Sequence, residues 1–314
     1  MFLILTPVFN DWEAAARLLE DLDLALAGGK GPWGVLIVDD GSPQPMPAAF
    51  PARSFQTLAS VDILRLRRNL GHQRAIAVGL VHAHLNIPCE AVVVMDADGE
   101  DKPADVPRLL ERFEQLGGQS IVFAARAKRL ESPVFRFFYH TYRLVHRIMT
   151  GDPVRVGNFS VVPAKALSQL AVIPEIWSHY AASVIRCRLA HDSIPIARGP
   201  RYCGTSKMRP ISLLLHGLSA MFVYAEIVGA RLFVGTLSLI ALAALLLGAL
   251  IALKFTSEIA YAAALLAVIL LQAVLISLVA VFTVIGSRVN VTFLPIRDCP
   301  YFVAGVERVF FRKS

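Results

Sequence analysis

From Met1 to about Tyr202, short uninterrupted apolar runs alternate with longer stretches whose apolar residues recur at helical spacing. The runs Phe2 to Thr6, Val35 to Val38, Ile63 to Leu66, Ala91 to Met95 and Ser120 to Ala124 are rich in β-branched residues. They predict strands buried on both faces. Helices are predicted between them over Trp12 to Ala27, with Asp11 as cap, and near Gln73 to His84 and Asp105 to Leu116. Such alternation predicts an α/β domain built on a parallel or mostly parallel sheet. The only low-complexity feature is the Pro-rich loop Pro43 to Pro51, and no internal repeat is visible.

The pattern changes after Arg231. Leu232 to Leu253 carries no charged residue, and neither does Ile259 to Gly286. A bilayer core about 30 Å thick needs roughly 20 apolar helical residues, so both stretches are long enough to span. Only Lys254 to Glu258 separates them, which predicts a hairpin with both flanks on one side. Arg198, Arg201, Lys207, Arg209 and Arg231 precede it, and Arg288, Arg297, Arg308, Arg312 and Lys313 follow. That bias predicts cytoplasmic flanks and cytoplasmic termini. The expected organisation is an α/β domain over 1–208, a juxtamembrane amphipathic helix over 209–228, a membrane hairpin over 229–287 and a C-terminal tail over 288–314. The two spans are placed at about 229–253 and 259–286. Because a strand-like run starts at Phe2, no cleavable signal peptide is expected.

Mean hydropathy is +0.57, concentrated in the hairpin. The net charge of +7 could suit nucleic acid, but no aromatic-interleaved binding module accompanies it. Anionic head groups and phosphates are the simpler partners, because much of the basic excess flanks the spans. Four cysteines, Cys89, Cys187, Cys203 and Cys299, lack the spacing of a zinc site or a disulfide framework and suit a reducing compartment.

Candidate chemistry sits where strands end. Asp96-Ala97-Asp98, then Glu100 and Asp101, follow the run Ala91 to Met95. Carboxylates must leave a buried strand at its exposed end, where open α/β sheets bind ligands. Paired carboxylates there could grip Mg²⁺ or Mn²⁺, or merely form an acidic loop that caps the next helix. Asp39-Asp40-Gly41-Ser42 could hydrogen-bond a ribose or base, or be an ordinary Asp-Gly turn. Pro7-Val8-Phe9-Asn10 ends the first strand, and Asn69-Leu70-Gly71-His72-Gln73 opens a helix where an anion could sit. Arg136 to Arg147 mixes aromatic and basic residues at helical spacing, which fits an interfacial helix or a surface helix with an aromatic core face. Ile211 to Tyr224 reads as an amphipathic approach helix. Trp177, His179 and Tyr180 could line a ligand pocket, though packing accounts for them more simply.

The order of these pieces resembles the family 2 glycosyltransferases with a nucleotide-diphospho-sugar binding (GT-A) fold, in particular the polyprenyl-phosphate glycosyltransferases. The resemblance rests on Thr6 to Asn10, Val38 to Ser42, Asn69 to Gln73, Met95 to Asp101, Ala125-Arg126 with Lys128-Arg129, and Gly204-Thr205-Ser206-Lys207 before the hairpin. It implies an inverting, metal-dependent transfer from a nucleotide sugar, with UDP-sugars the better guess, to a polyprenyl phosphate at a bacterial plasma membrane. By that resemblance Pro7, Asn10, Asp39, Asp40, Asn69, Gly71, Gln73 and Ala97 line the nucleotide-sugar site. Asp96, Asp98 and Glu100 hold Mg²⁺ or Mn²⁺ on the diphosphate. Arg126 and Arg129 hold the donor diphosphate or the acceptor phosphate, and Ser206 and Lys207 close over the site. Related membrane enzymes also assemble as tetramers.

One stretch departs from the family. Where many members carry acidic residues resembling Asp-x-Gly-Asp-Phe, this chain has Arg155-Val156-Gly157-Asn158-Phe159. Asn158 cannot act as a base. A hydroxyl acceptor needs a base, a role that Asp101 or Asp152 would then have to take, whereas a phosphate is already anionic. Transfer to a lipid hydroxyl, and a non-catalytic partner that binds nucleotide sugar or lipid, are the competing readings.

Overall fold

The computed structural model describes the chain except for residues 30, 52–53, 127–132, 153–155, 204–216, 253–256, 290–292 and 313–314. It divides into two units. The first comprises Met1–Glu131, Val154–Val223 and Phe293–Ser314, and the second comprises Ser132–Pro153 and Tyr224–Thr292.

The first unit is a layered α/β domain. Its sheet contains β1 (Phe2–Val8), β2 (Trp33–Asp39), β3 (Leu58–Leu66), β4 (Ala91–Val94), β5 (Ile121–Arg126), β6 (Val156–Pro163), β7 (His191–Ile196) and β8 (Val303–Phe311). The spatial order is β7-β5-β6-β4-β1-β2-β3-β8. β1 runs parallel to both β2 and β4, and β2 runs parallel to β3. Chain connections therefore reverse direction across β1, and the carboxyl ends of β1, β2 and β4 open on one crevice. β1 and β2 are buried along their whole length, as their apolar runs require.

Helices cover both faces. In α1 (Trp12–Ala25), Trp12, Ala15, Leu18, Leu19 and Leu22 form one buried stripe. On the opposite face α2 (His72–Asn86) packs so closely that a Cβ on Gly79 would come within 2.7 Å of Leu5 and 2.8 Å of Val38. The sheet is less purely parallel than the alternation suggests. β6 is antiparallel to β4 and β5, and β8 is antiparallel to β3. β8 lies in the segment read as a tail. It is held by Arg65 against Glu307 at 2.8 Å and Arg308 against Asp62 at 2.7 Å. Its alternation is weak because most of the strand is exposed, as an edge strand can be.

The second unit contains α3 (Pro133–Thr150) and two long apolar helices, Ala225–Ala252 and Ser257–Val289. α3 leaves Leu144, Val145 and Ile148 exposed. Arg231 donates to the Ile148 carbonyl at 2.7 Å and so satisfies an otherwise free C-terminal acceptor of that helix. Windows 225–246 and 261–280 are long and apolar enough to cross a membrane, with mean hydropathy 2.0 and 2.7. Only 6% of the first window and none of the second is buried, unlike a helix in a soluble core. These helices fit a membrane-associated protein.

Candidate active site

The crevice is built from loops that the strands deliver. At the end of β2 the Asp39 carboxylate accepts the Ser42 N–H at 3.0 Å and has Arg65 at 3.6 Å. Asp40 is buried and accepts the Leu70 and Gly71 N–H groups at 2.7 and 2.9 Å. Burial raises its carboxyl above the ordinary value, against the pull of those two N–H groups. Asp40 thereby ties the end of β2 to the turn that starts α2. Gly41, with φ +67°, lies so close that a Cβ would meet the Arg68 carbonyl carbon at 2.5 Å.

Pro7 lies within β1, paired with Val38. Asn10 adopts φ +59°, donates its N–H to Ser42 Oγ at 2.9 Å and accepts the Gln44 N–H at 3.1 Å. Asn69 is exposed beside the buried Leu70. The expected nucleotide residues of β1, β2 and the α2 turn thus meet at neighbouring strand ends.

The acidic loop follows β4. Asp101 is buried and accepts the Asp96 N–H at 2.9 Å, while Ala97 packs into the core. Asp96 Oδ1 lies 3.1 Å from His72 Nε2. Burial disfavours a charged imidazole, but Asp96, aided by Asp101 and Asp98, outweighs it and raises the His72 pKa. Asn158 Nδ2 also lies 3.1 Å from His72 Nε2, and Asn158 Oδ1 accepts from Gln73 Nε2 at 3.1 Å. Gln73 Oε1 in turn accepts the Tyr180 N–H at 2.8 Å. A polar chain therefore runs from Asp96 through His72, Asn158 and Gln73 to α4 (Tyr180–Arg186). Beside it a cavity of about 20 Å³, bordered by Asp96, Asn158 and Arg198, has room for one water-sized group.

Two arginines after β7 complete the loop's electrostatics. Arg201 Nη2 lies 2.6 Å from Asp98 Oδ2, Arg201 Nε lies 3.4 Å from Glu100 Oε1, and Arg198 pairs with Glu100 Oε2. Tyr202 lies against Gly99, donates its N–H to the Asp98 carbonyl at 2.8 Å and its hydroxyl to Asp21 at 2.6 Å. The strap Arg198 to Tyr202 is thus laid along the acidic loop. Burial, reinforced by Asp96, raises the Asp98 carboxyl above its ordinary value despite Arg201 and Arg198.

Three carboxylates on one short loop are the hard oxygen donors that Mg²⁺ or Mn²⁺ takes, so the donor chemistry fits the expected ion. Among the described residues no group of three or more acid, histidine or cysteine side chains is arranged to hold a metal as the chain stands. Arg198 and Arg201 already supply positive charge to Glu100 and Asp98.

Of the other expected site residues, Arg126 ends β5, paired in register with Ile196. Arg129, Ser206 and Lys207 lie outside the described residues. His179 caps α4 by accepting the Ala182 N–H at 3.3 Å, and Tyr180 is fully buried with its hydroxyl 2.8 Å from Ser160 Oγ. Sequence reasoning placed His72 only within the helix-opening motif, without a role of its own, and missed Arg198 and Arg201 as members of the site. Their signal was positional, since each follows a strand end, but the two arginines read equally well as membrane-flanking charge.

The family model described as "Glycosyl transferase family 2" matches residues 3–170, more than half the chain and the whole run of strand ends from β1 to β6. The chain is a family 2 glycosyltransferase. An uncharacterized glycosyltransferase, YkcC of Bacillus subtilis, is 27% identical over 66% of this chain and 62% of its own length. An undecaprenyl-phosphate 4-deoxy-4-formamido-L-arabinose transferase of Pectobacterium atrosepticum is 26% identical over 62% of this chain and 54% of its own length. This glycosyltransferase therefore spans less than two thirds of the relatives it matches. Among solved structures, the glucosyl-3-phosphoglycerate synthase of Mycobacterium tuberculosis, in complex with Mn²⁺, UDP and glucosyl-3-phosphoglycerate, superposes with a TM-score of 0.50. The identity is 15%, over 74% of this chain and 79% of that one. That likeness establishes the mixed α/β GT-A fold of the first unit.

Proposed function

We propose that this glycosyltransferase moves a sugar from a nucleotide donor, preferably a UDP-sugar, to a polyprenyl phosphate, with inversion at the anomeric carbon. The observation that carries the reading is Asn158. It occupies the crevice beside Asp96, at a position where a carboxylate could have served as base, and its amide is engaged by Gln73 and His72. A lipid hydroxyl would need proton removal; a phosphate oxygen is already anionic near neutral pH. The undecaprenyl-phosphate transferases among the relatives support the same acceptor class.

In this mechanism an acceptor phosphate oxygen forms the new bond to the anomeric carbon as the bond to the nucleoside diphosphate breaks. The electron pair leaves on the diphosphate, and no proton need move. Asp96, Asp98 and Glu100 would hold Mg²⁺ or Mn²⁺, which when bound neutralises charge on the leaving phosphates. Asp39 and Asn10 would orient the nucleoside, while Asp40, with Gly71 and Gln73, fixes the wall of the crevice. Arg126, Arg129 and Lys207 are the proposed phosphate contacts, suited to paired hydrogen bonds.

The two apolar helices would form a hairpin in a bacterial plasma membrane, with the catalytic unit and both termini cytoplasmic. A homotetramer is part of this proposal by family resemblance alone. The test is incubation of the purified full chain with a panel of nucleotide sugars and polyprenyl phosphate, followed by mass analysis of the lipid. A lipid gaining one sugar, released again by mild acid, supports the reading. An acid-resistant product favours a hydroxyl acceptor, and no product with any donor favours the non-catalytic alternative.

A further inference from the structure

A second concavity of the catalytic unit, about 400 Å³, lies on the α2 side of the crevice and shares only Gly71 and Gln73 with the residues assigned above to the donor. That volume is in the range of sites that enclose small ligands, roughly 300–1,000 Å³. Its lining is divided by chemistry. Trp177, on the turn Pro174–Trp177, and Phe222 give the apolar part, while His72 and Arg74 of the first α2 turn give the polar part. The Trp177 ring is held by Phe293 at 4.3 Å and Phe302 at 5.1 Å between centroids, so it presents a fixed face. Arg74 lies over that ring, 5.4 Å from its centroid. Phe222 is 65% exposed, an unusual state for a large aromatic side chain in a cleft. His72 also borders the acidic loop, 3.1 Å from Asp96, so the cleft leads directly to the reacting centre.

We infer that this cleft takes the phosphate-proximal isoprenyl units of the acceptor, packed between Trp177 and Phe222, with the phosphate entering past Arg74 and His72. The inference rests on the polyprenyl-phosphate reading and deepens it by locating where the lipid is recognised. The occupant must be apolar along its length and anionic at one end, because the aromatic pair and the cationic helix start face the same cavity. It must also extend from the cleft to the acidic loop. An isoprenyl phosphate meets these conditions. Free phosphate would leave the aromatic pair bare, and a free prenol would leave Arg74 and the helix start without an anion. In sequence Phe222 is followed almost at once by the apolar helix Ala225–Ala252, so the apolar wall is continuous in the chain with a lipid-compatible segment.

The inference can be tested with full-length protein in detergent and farnesyl phosphate as probe. Trp12 and Trp33 are buried, so ligand-induced changes in tryptophan emission should report Trp177 and vanish in Trp177→Phe. Farnesyl phosphate should change the emission at concentrations about tenfold below those needed for farnesol or inorganic phosphate. In steady-state transfer, Phe222→Ala and Arg74→Gln should each raise the polyprenyl-phosphate KM about tenfold and leave the nucleotide-sugar KM unchanged. Both side chains are exposed, so neither change removes core packing. The inference is overturned if farnesyl phosphate leaves the emission unchanged, or if both variants keep lipid KM within about twofold of wild type. If wild type transfers no sugar to any polyprenyl phosphate, the parent reading falls, and the emission measurement alone decides whether the cleft binds isoprenyl phosphate.

Discussion

The Arg201 guanidinium lies 2.6 Å from the Asp98 carboxylate, so the residue expected to grip a metal ion is already matched by a positive side chain. The pair gives the acidic loop a defined shape before donor arrives. It also places a cation from the chain in competition with one from solution. Arg201→Ala should therefore tighten Mn²⁺ binding in the absence of donor by about tenfold, a gain of about 1.4 kcal/mol. Titration calorimetry on the metal-free protein would read this directly, and unchanged or weaker affinity would remove Arg201 as a competitor.

Asp98→Asn removes one charged oxygen donor from the same loop. Mn²⁺-dependent donor binding and transfer should both be lost. Because the Asp98 pKa is raised in the folded chain, its ionised form is a net cost to the metal-free fold at neutral pH. The thermal midpoint of Asp98→Asn without metal should accordingly not fall below that of wild type. Full activity in this variant, or activity indifferent to a chelator, would refute the metal role.

The pH dependence follows from the same direction of shift. A group whose folded pKa is raised contributes stability that is fully present below the unfolded value and lost as pH rises through the folded one. For metal binding the proton is a competitor, so affinity should be complete at neutral pH and decline on acidification. The decline should begin at a higher pH than for an ordinary exposed aspartate, because burial and Asp96 hold the Asp98 proton more tightly. Mn²⁺ titrations across the mildly acidic range would show it. A midpoint at the ordinary carboxylate value would not fit.

Asp40 makes a structural prediction. Its two oxygens accept the Leu70 and Gly71 N–H groups inside the domain. Asp40→Ala would leave both donors without that acceptor, costing about 1–3 kcal/mol for each one left buried and unsatisfied. It should lower the thermal midpoint and raise the donor KM together, since the α2 turn borders the crevice. A loss of donor affinity with no loss of stability would instead indicate direct contact with the nucleotide.

The legible parts of this protein were those where one residue pattern has one physical solution. Val92, Val93 and Val94 could only be a buried strand, and they form β4 at the sheet centre. Leu18, Leu19 and Leu22 with Trp12 could only be one face of a helix. The strands at the margins were not legible, because burial no longer selects their residues. β7 is largely exposed and contains Pro195, and β8 alternates too weakly to stand apart from a tail. The site was legible where a motif is local, as in Asp96 to Asp101. It was obscure where the partner comes from far along the chain. Arg201 meets Asp98 only because β7 runs parallel to β5 and delivers the strap to the same crevice. Asn158 was legible as a missing base, but its bonds to Gln73 and His72 required the antiparallel insertion of β6.

The central claim is that the nucleophile is a phosphate oxygen, and ³¹P NMR of the isolated lipid product tests it most directly. Wild-type protein supplied with nucleotide sugar and polyprenyl phosphate should convert the phosphomonoester resonance of the lipid into that of a sugar phosphodiester, with one nucleoside diphosphate released per lipid converted. Asn158→Asp should slow that conversion, because one more carboxylate beside Asp96 would repel the incoming phosphate. A sugar-bearing lipid whose phosphomonoester resonance is unaltered would contradict the account, as would faster conversion by Asn158→Asp.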